Sequence, residues 1–126
     1  MSYNKDIVIG LLKQIETSIL TIKRRTAMIL SPDDFFSSSA NEEKLDAVCM
    51  QLIFIGETVK SIDKITNKEL LPKYESVPWS QIMKMRDIIA HHYFDLDVDE
   101  VFIVISRELT PLTKGVQYLI EEVSKA

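Results

Sequence analysis

Two side chains in the segment 78–97 have the types that phosphodiester chemistry needs, and they stand five residues apart. His91 can exchange a proton near neutral pH, and Arg86 can hold a phosphate in two places while it stabilises developing negative charge. Without a metal, the attacking group would most simply be an RNA 2′-hydroxyl. Five residues rotate by about 140° on a straight helix, so within one chain Arg86 and His91 do not share a face unless the helix ends or distorts between them. They can converge at a two-fold interface; the alternative is a surface Arg and a His that caps a helix end.

Two further residues bear on this pair. If their helices face each other, Glu57 can orient Arg86 by a charged hydrogen bond. Tyr93 follows His91 by two positions, where it can pack in the core, stack on a base or accept a covalent modification.

Three lysines recur at intervals of four residues, Lys60, Lys64 and Lys68. This spacing places them on one face of a helix. They can guide a phosphate backbone, or they can form a solvated helix face.

A metal site is not indicated by the His and Asp residues of the same region. His92 adjoins His91, and adjacent residues point in different directions on a helix. Four carboxylates follow closely but lack the glycine and the closing Glu of a calcium loop, so we interpret them as capping and solvation: Asp95, Asp97, Asp99 and Glu100. We expect neither a metal nor a cofactor.

Composition narrows the class of protein. A chain of 126 residues with 46% hydrophobic content predicts a single domain, 1–126, with its own core. The net charge of −4 excludes a general basic surface, so any nucleic-acid contact must be local. Cys49 is the only cysteine, which excludes an intrachain disulfide. With no signal pattern and no apolar run of about 20 residues, we expect a cytoplasmic protein.

The elements that must position these residues are helical. Apolar residues recur three or four apart in four stretches, which predicts an all-α, antiparallel four-helix bundle. Gly56, in mid-helix, suggests the close approach of another helix, and Pro111 should kink or split the last helix. The predicted helices are Tyr3–Leu30, Asn41–Thr66 with Asn41 as its cap, Pro78 to about Tyr93, and Val98–Ser124 with Asp97 as its cap.

The segment from Arg86 to Tyr93 resembles the R-x4-H-x-Y motif of HepT-like ribonuclease toxins, a branch of the HEPN superfamily. Ile55-Gly56-Glu57 resembles the I-G-E segment of that family, and Pro78-Trp79 with Ile82 and Met85-Arg86 resembles its P-W-x-x-I-x-x-M-R lead. The resemblance covers nearly the whole chain and is densest over 78–101.

The resemblance implies a homodimer in which the motifs meet, and metal-independent RNA cleavage as the toxin of a type VII-like toxin–antitoxin pair. Arg86 and His91 would be catalytic, with Asp87 and Glu57 in support. Tyr93 would receive AMP from a minimal nucleotidyltransferase antitoxin, which silences the toxin. The alternative is a non-catalytic HEPN dimer that binds a nucleotide or its nucleotidyltransferase partner.

Overall fold

The computed structural model describes residues 3–91 and 95–126, and all regular structure in that part of the chain is helical. This confirms the all-α bundle with a divided last helix. No helix among the described residues is both long and apolar enough to cross a membrane. The helices are α1 (Lys5–Arg25), α2 (Ser39–Ile65), α3 (Trp79–His91), α4 (Val98–Ile103) and α5 (Leu109–Lys125), with short 3₁₀ turns at Pro32–Phe36 and Leu71–Lys73.

Helix α2 lies at the centre of the bundle, where it packs against α1 on one side and α3 on the other, while α5 covers α1. The apolar residues that recur along α1, α2 and α5 face one another in a common core. Three of them, Ile15, Ile55 and Val116, have no exposed surface. Because packing on both sides fixes α2, its residues form a stable platform for α3.

The ends of α1 and α2 differ from the predicted ones. Helix α1 ends at Arg25. Thr26 is its C-cap, where both the backbone N–H and the hydroxyl donate to the carbonyl of Ile22, at 2.9 and 2.8 Å. Asn41 was wrongly predicted as the cap of α2. Ser38 is the cap, since its hydroxyl accepts from the N–H of Asn41 at 3.1 Å.

The C-terminal helix has the predicted cap and the predicted interruption. The Asp97 carboxylate accepts from the backbone N–H groups of Asp99 and Glu100, at 3.0 and 3.3 Å. Wider π turns at Val104–Glu108 separate α4 from α5. Pro111, the third residue of α5, has no N–H to donate four residues back, and the π turns end three positions before it.

The start of α3 is held by Trp79. Its side chain is buried, and its indole N–H donates to the carbonyl of Tyr74 at 2.9 Å. This hydrogen bond ties the loop before α3 to its first turn, so the direction in which α3 crosses α2 is fixed.

Candidate functional site

Arg86 lies where α3 comes closest to α2, opposite Gly56. A Cβ added to Gly56 would overlap the Cβ of Arg86 and would lie 3.1 Å from the carbonyl oxygen of Ile82. Only glycine leaves this space, so Gly56 sets the distance between α2 and α3 at the residue that carries the guanidinium. The close helix approach that the sequence suggested at Gly56 is confirmed.

The guanidinium of Arg86 lies between two carboxylates. Its Nε is in ion-pair contact with Oε1 of Glu57, and its Nη1 donates a hydrogen bond of 3.1 Å to Oδ1 of Asp87. The buried Nε–H has no aligned acceptor, so the Glu57 contact is an ion pair and not the expected charged hydrogen bond. Within the described part of the chain, Nη2 donates no hydrogen bond. A guanidinium nitrogen of this kind can donate to a phosphate oxygen.

Asp87 has a second cation as its partner. Nζ of Lys60 lies 3.0 and 3.2 Å from the two carboxylate oxygens. The hydrogen bonds from Lys60, with a smaller contribution from Arg86, hold the pKa of the Asp87 carboxyl below its usual value, although desolvation opposes them. Asp87 is therefore ionised at neutral pH. With Glu57, these residues form a cluster of two positive and two negative charges, which we call the charge cluster.

The sequence did not indicate that Lys60 belongs to this cluster. Helical spacing placed Lys60 with the other two lysines. Its contact with Asp87 joins residues 27 positions apart, which helical spacing does not predict. The available signal was the I-G-E segment, because Lys60 stands about one turn beyond Glu57 on the helix that α3 approaches most closely.

His91 is exposed at the last position of α3. Arg86 is turned towards α2, and five residues of helix separate it from His91 by a rotation of about 140° and a rise of about 7.5 Å. His91 makes no hydrogen bond or ion pair with any residue that the structure describes. One chain therefore does not bring the two candidate catalytic residues together.

Tyr93, the predicted modification site, and His92 lie outside the described residues. The next described residue is Asp95, just before the capped start of α4. In the described ranges, no group of three or more His, Cys, Asp or Glu side chains is placed to hold a metal ion.

The three lysines surround a shallow depression of about 450 Å³ at the C-terminal end of α2. Lys60 and Lys64 lie on α2, but Lys68 lies beyond its end, so the three do not share one helix face as predicted. A turn returns Lys68 to the same depression. The residues that line this lysine depression are Lys60, Asp63, Lys64, Asn67, Lys68 and Met83.

A larger groove of about 650 Å³ runs between α3 and the C-terminal helix. The buried side chains of Leu52 and Ile55 lie at its base, and Met85 and Ile88 of α3 form part of its wall. Ile88 is 57% exposed. The helix that carries Arg86 and His91 thus presents an apolar face that the described part of this chain leaves uncovered.

A helical bundle in which an Arg-x4-His helix crosses an I-G-E helix is a HEPN-type domain. The match to known sequences is more specific. A sequence profile described as ribonuclease HepT-like matches residues 15–119, which include the charge cluster and His91. The chain belongs to this family.

Several curated proteins are similar to this chain. A protein of Methanocaldococcus jannaschii named as a gamma-glutamylcyclotransferase and candidate RNase is 31% identical over 93 residues, which are 74% of this chain and 39% of that protein. A candidate RNase of Caldanaerobacter subterraneus subsp. tengcongensis is 33% identical over 76 residues, 60% of this chain and 64% of that protein. The chain therefore spans less than two thirds of these two relatives. No solved structure gives a significant match.

Proposed function

We propose that this protein is a metal-independent endoribonuclease that acts as the toxin of a type VII-like toxin–antitoxin pair in the cytoplasm. The observation that carries the proposal is the Arg86 guanidinium, held by Glu57 and Asp87 on a helix that ends in an exposed His91. Membership of the HepT-like family supports the same reaction class.

In the proposed reaction, His91 removes the proton of an RNA 2′-hydroxyl, whose oxygen attacks the adjacent phosphorus. The bond from phosphorus to the 5′-oxygen breaks, that oxygen takes up a proton from water, and His91 returns its proton to the solvent. Arg86 stabilises the negative charge that builds up on the phosphoryl oxygens. The products are a 2′,3′-cyclic phosphate and a 5′-hydroxyl.

A homodimer is part of the proposal, because one chain separates Arg86 from His91. In a two-fold dimer, Arg86 of one chain and His91 of the other share a cleft, so each dimer has two sites. The uncovered apolar groove beside α3, with its exposed Ile88, favours burial against a second copy.

The proposed regulation acts on Tyr93. A minimal nucleotidyltransferase partner would transfer AMP from ATP to the Tyr93 hydroxyl and release pyrophosphate. The added phosphate, two positions from His91 in sequence, would compete with RNA for Arg86.

Cleavage is tested with purified protein, RNA and EDTA. The His91→Ala variant lacks the general base and should cleave RNA about 10²–10⁴-fold more slowly. The Arg86→Lys variant keeps the positive charge but loses the planar guanidinium, and it should cleave RNA about 10²–10³-fold more slowly. His92→Ala is the matched control and should keep its activity. If wild type and His91→Ala degrade RNA at the same rate, the proposal is wrong.

Mixing two inactive variants tests the shared site. Arg86→Ala and His91→Ala, unfolded and refolded together in equal amounts, should regain about a quarter of wild-type activity. Half of the dimers are then mixed, and each mixed dimer has one complete site out of two. A mixture that stays inactive while each variant remains a folded dimer places both residues of a site in the same chain.

The second candidate is a non-catalytic dimer that binds a nucleotide or its nucleotidyltransferase partner. The balanced charge cluster favours it, because Glu57 and Asp87 already offset the positive charge of Arg86. Expression in a bacterial host separates the two. The ribonuclease proposal requires that Tyr93→Phe, which cannot accept AMP, slows growth even when the partner is present.

A further inference from the structure

We propose that the lysine depression at the end of α2 binds the phosphodiester backbone of single-stranded RNA beside the cleaved bond. This inference rests on the proposed ribonuclease function and adds a substrate subsite to it. Its basis is the placement of three amines around one concave surface that adjoins the charge cluster.

The depression is formed by the way α2 ends. Lys60 and Lys64 are one helical turn apart, about 6 Å along the axis, a separation that phosphates of neighbouring nucleotides can match. Beyond Ile65, Asn67 and Lys68 take left-handed backbone conformations, with φ of 54° and 63°. The N–H of Lys68 donates to the carbonyl of Asp63 at 2.8 Å. This turn reverses the chain and returns the third lysine to the same surface.

The charges of the depression favour an anion. Among the residues that the structure describes, Lys64 and Lys68 have no ion-pair partner, whereas Lys60 is paired with Asp87. Asp63 contributes one negative charge. The depression is thus locally cationic on a chain of net charge −4. At physiological salt, charges more than about 8 Å away are largely screened, so the local lysines determine the potential here. The depression therefore attracts phosphates although the protein as a whole is acidic.

Lys60 joins the depression to the candidate catalytic site. It lines the depression, and its amine contacts Asp87, which in turn accepts a hydrogen bond from Arg86. A strand with its cleaved phosphate at Arg86 can therefore continue past Lys60 to Lys64 and Lys68. Met83, on the α3 side, offers an apolar contact to a sugar or base. A merely solvated row of lysines would not need this concave shape.

The test measures binding of a fluorescent 2′-O-methyl oligoribonucleotide, which cannot be cleaved by 2′-hydroxyl attack. The full-length protein is titrated at several salt concentrations. A plot of log affinity against log salt concentration has a negative slope, and each lost phosphate contact reduces its magnitude by about 0.7 for a single strand. The double variant Lys64→Gln/Lys68→Gln should therefore reduce this magnitude by about 1.4 per occupied depression. Asp63→Asn, which removes the opposing charge, should bind several-fold more tightly.

The control is Lys13→Gln/Lys125→Gln, which removes the same charge from exposed positions on α1 and α5 and should leave the slope unchanged. An equal slope change in both double variants, or none in either, overturns the subsite, as does a wild type that does not bind the oligonucleotide. The proposed function fails separately. If the slope depends on Lys64 and Lys68 but unmodified RNA is never cut, the binding surface stands and the ribonuclease proposal does not.

Discussion

Gly56 offers the sharpest test of how the fold positions Arg86. The substitution Gly56→Ala places a methyl group where the Cβ of Arg86 already lies. Because α2 is packed on both sides, α3 has to move to make room. The movement occurs at the residue whose guanidinium is held by Glu57 and Asp87. The change should therefore affect both stability and activity.

The expected change in the free energy of unfolding follows from two opposing effects. Overpacking costs about 1–3 kcal/mol, and alanine in place of glycine within a helix stabilises by about 1 kcal/mol. At Gly10 an added Cβ meets nothing within 4 Å, so only the second effect operates. Gly10→Ala should stabilise by about 1 kcal/mol, and Gly56→Ala should lie between neutral and a loss of about 2 kcal/mol. One kcal/mol corresponds to about 4 °C in a chain of this size.

The assay is thermal unfolding of both variants at one protein concentration, because the Tm of the proposed dimer would depend on concentration. The Tm of Gly10→Ala should exceed that of Gly56→Ala by about 4–12 °C. In an RNA cleavage assay, the rate of Gly56→Ala should fall by about 100-fold, because Arg86 is displaced by about 1 Å. The rate of Gly10→Ala should be unchanged. If both substitutions raise the Tm equally, the close helix contact is not present and the reasoning is refuted.

Three other predictions concern the described residues. The pKa of Asp87 is lowered in the folded chain, chiefly by Lys60, so its ion pairs stabilise the fold above the ordinary carboxyl pKa of about 3.9. The stability gap between wild type and Asp87→Asn in urea should therefore be present at pH 7 and should close as the pH falls below that value. Burial, with a smaller contribution from Asp46, raises the pKa of Cys49 to about 11. A thiol reagent at pH 8 should therefore modify Cys49 only after unfolding, and modification of the native protein would contradict the buried placement. Asp97→Ala removes the cap of α4 and should cost about 1 kcal/mol in chemical unfolding, whereas an unchanged midpoint would show that the cap contributes nothing.

The fold was predictable from the sequence wherever a local rule determines it. Helical periodicity indicated the helices, Asp97 identified the start of α4, and Pro111 identified the interruption that the structure places at Val104–Glu108. Gly56 indicated a close helix contact because a mid-helix glycine is unfavourable without one. Each of these signals depends on backbone chemistry within a few residues, which a single sequence displays directly.

The cap of α2 was mispredicted, since Ser38 and Asn41 are both good capping residues and stand within one turn of each other. Contacts with the preceding turn decided between them. The Asn41 amide donates to the carbonyl of Asp34 and to the hydroxyl of Ser37, both at 2.9 Å. The pairing of Lys60 with Asp87 has a different origin, because it joins residues 27 positions apart. Such a long-range contact depends on how helices pack, and helical spacing does not encode it.

The charge cluster reconciles an acidic protein with the proposed phosphate site. A lone Arg86 on α3 would be free to turn, whereas Glu57 and Asp87 hold its guanidinium, and no acceptor for Nη2 lies among the described residues. Because Lys60 supplies a counterion to Asp87, the carboxylate does not have to be displaced before a phosphate binds. In the proposed reaction, the net charge near the cleaved bond is then set by the substrate and by Lys64 and Lys68, which have no ion-pair partner among the described residues. Orientation of Arg86 and attraction of RNA would therefore depend on different residues, and the substitutions at Gly56 and at Lys64 and Lys68 separate the two effects.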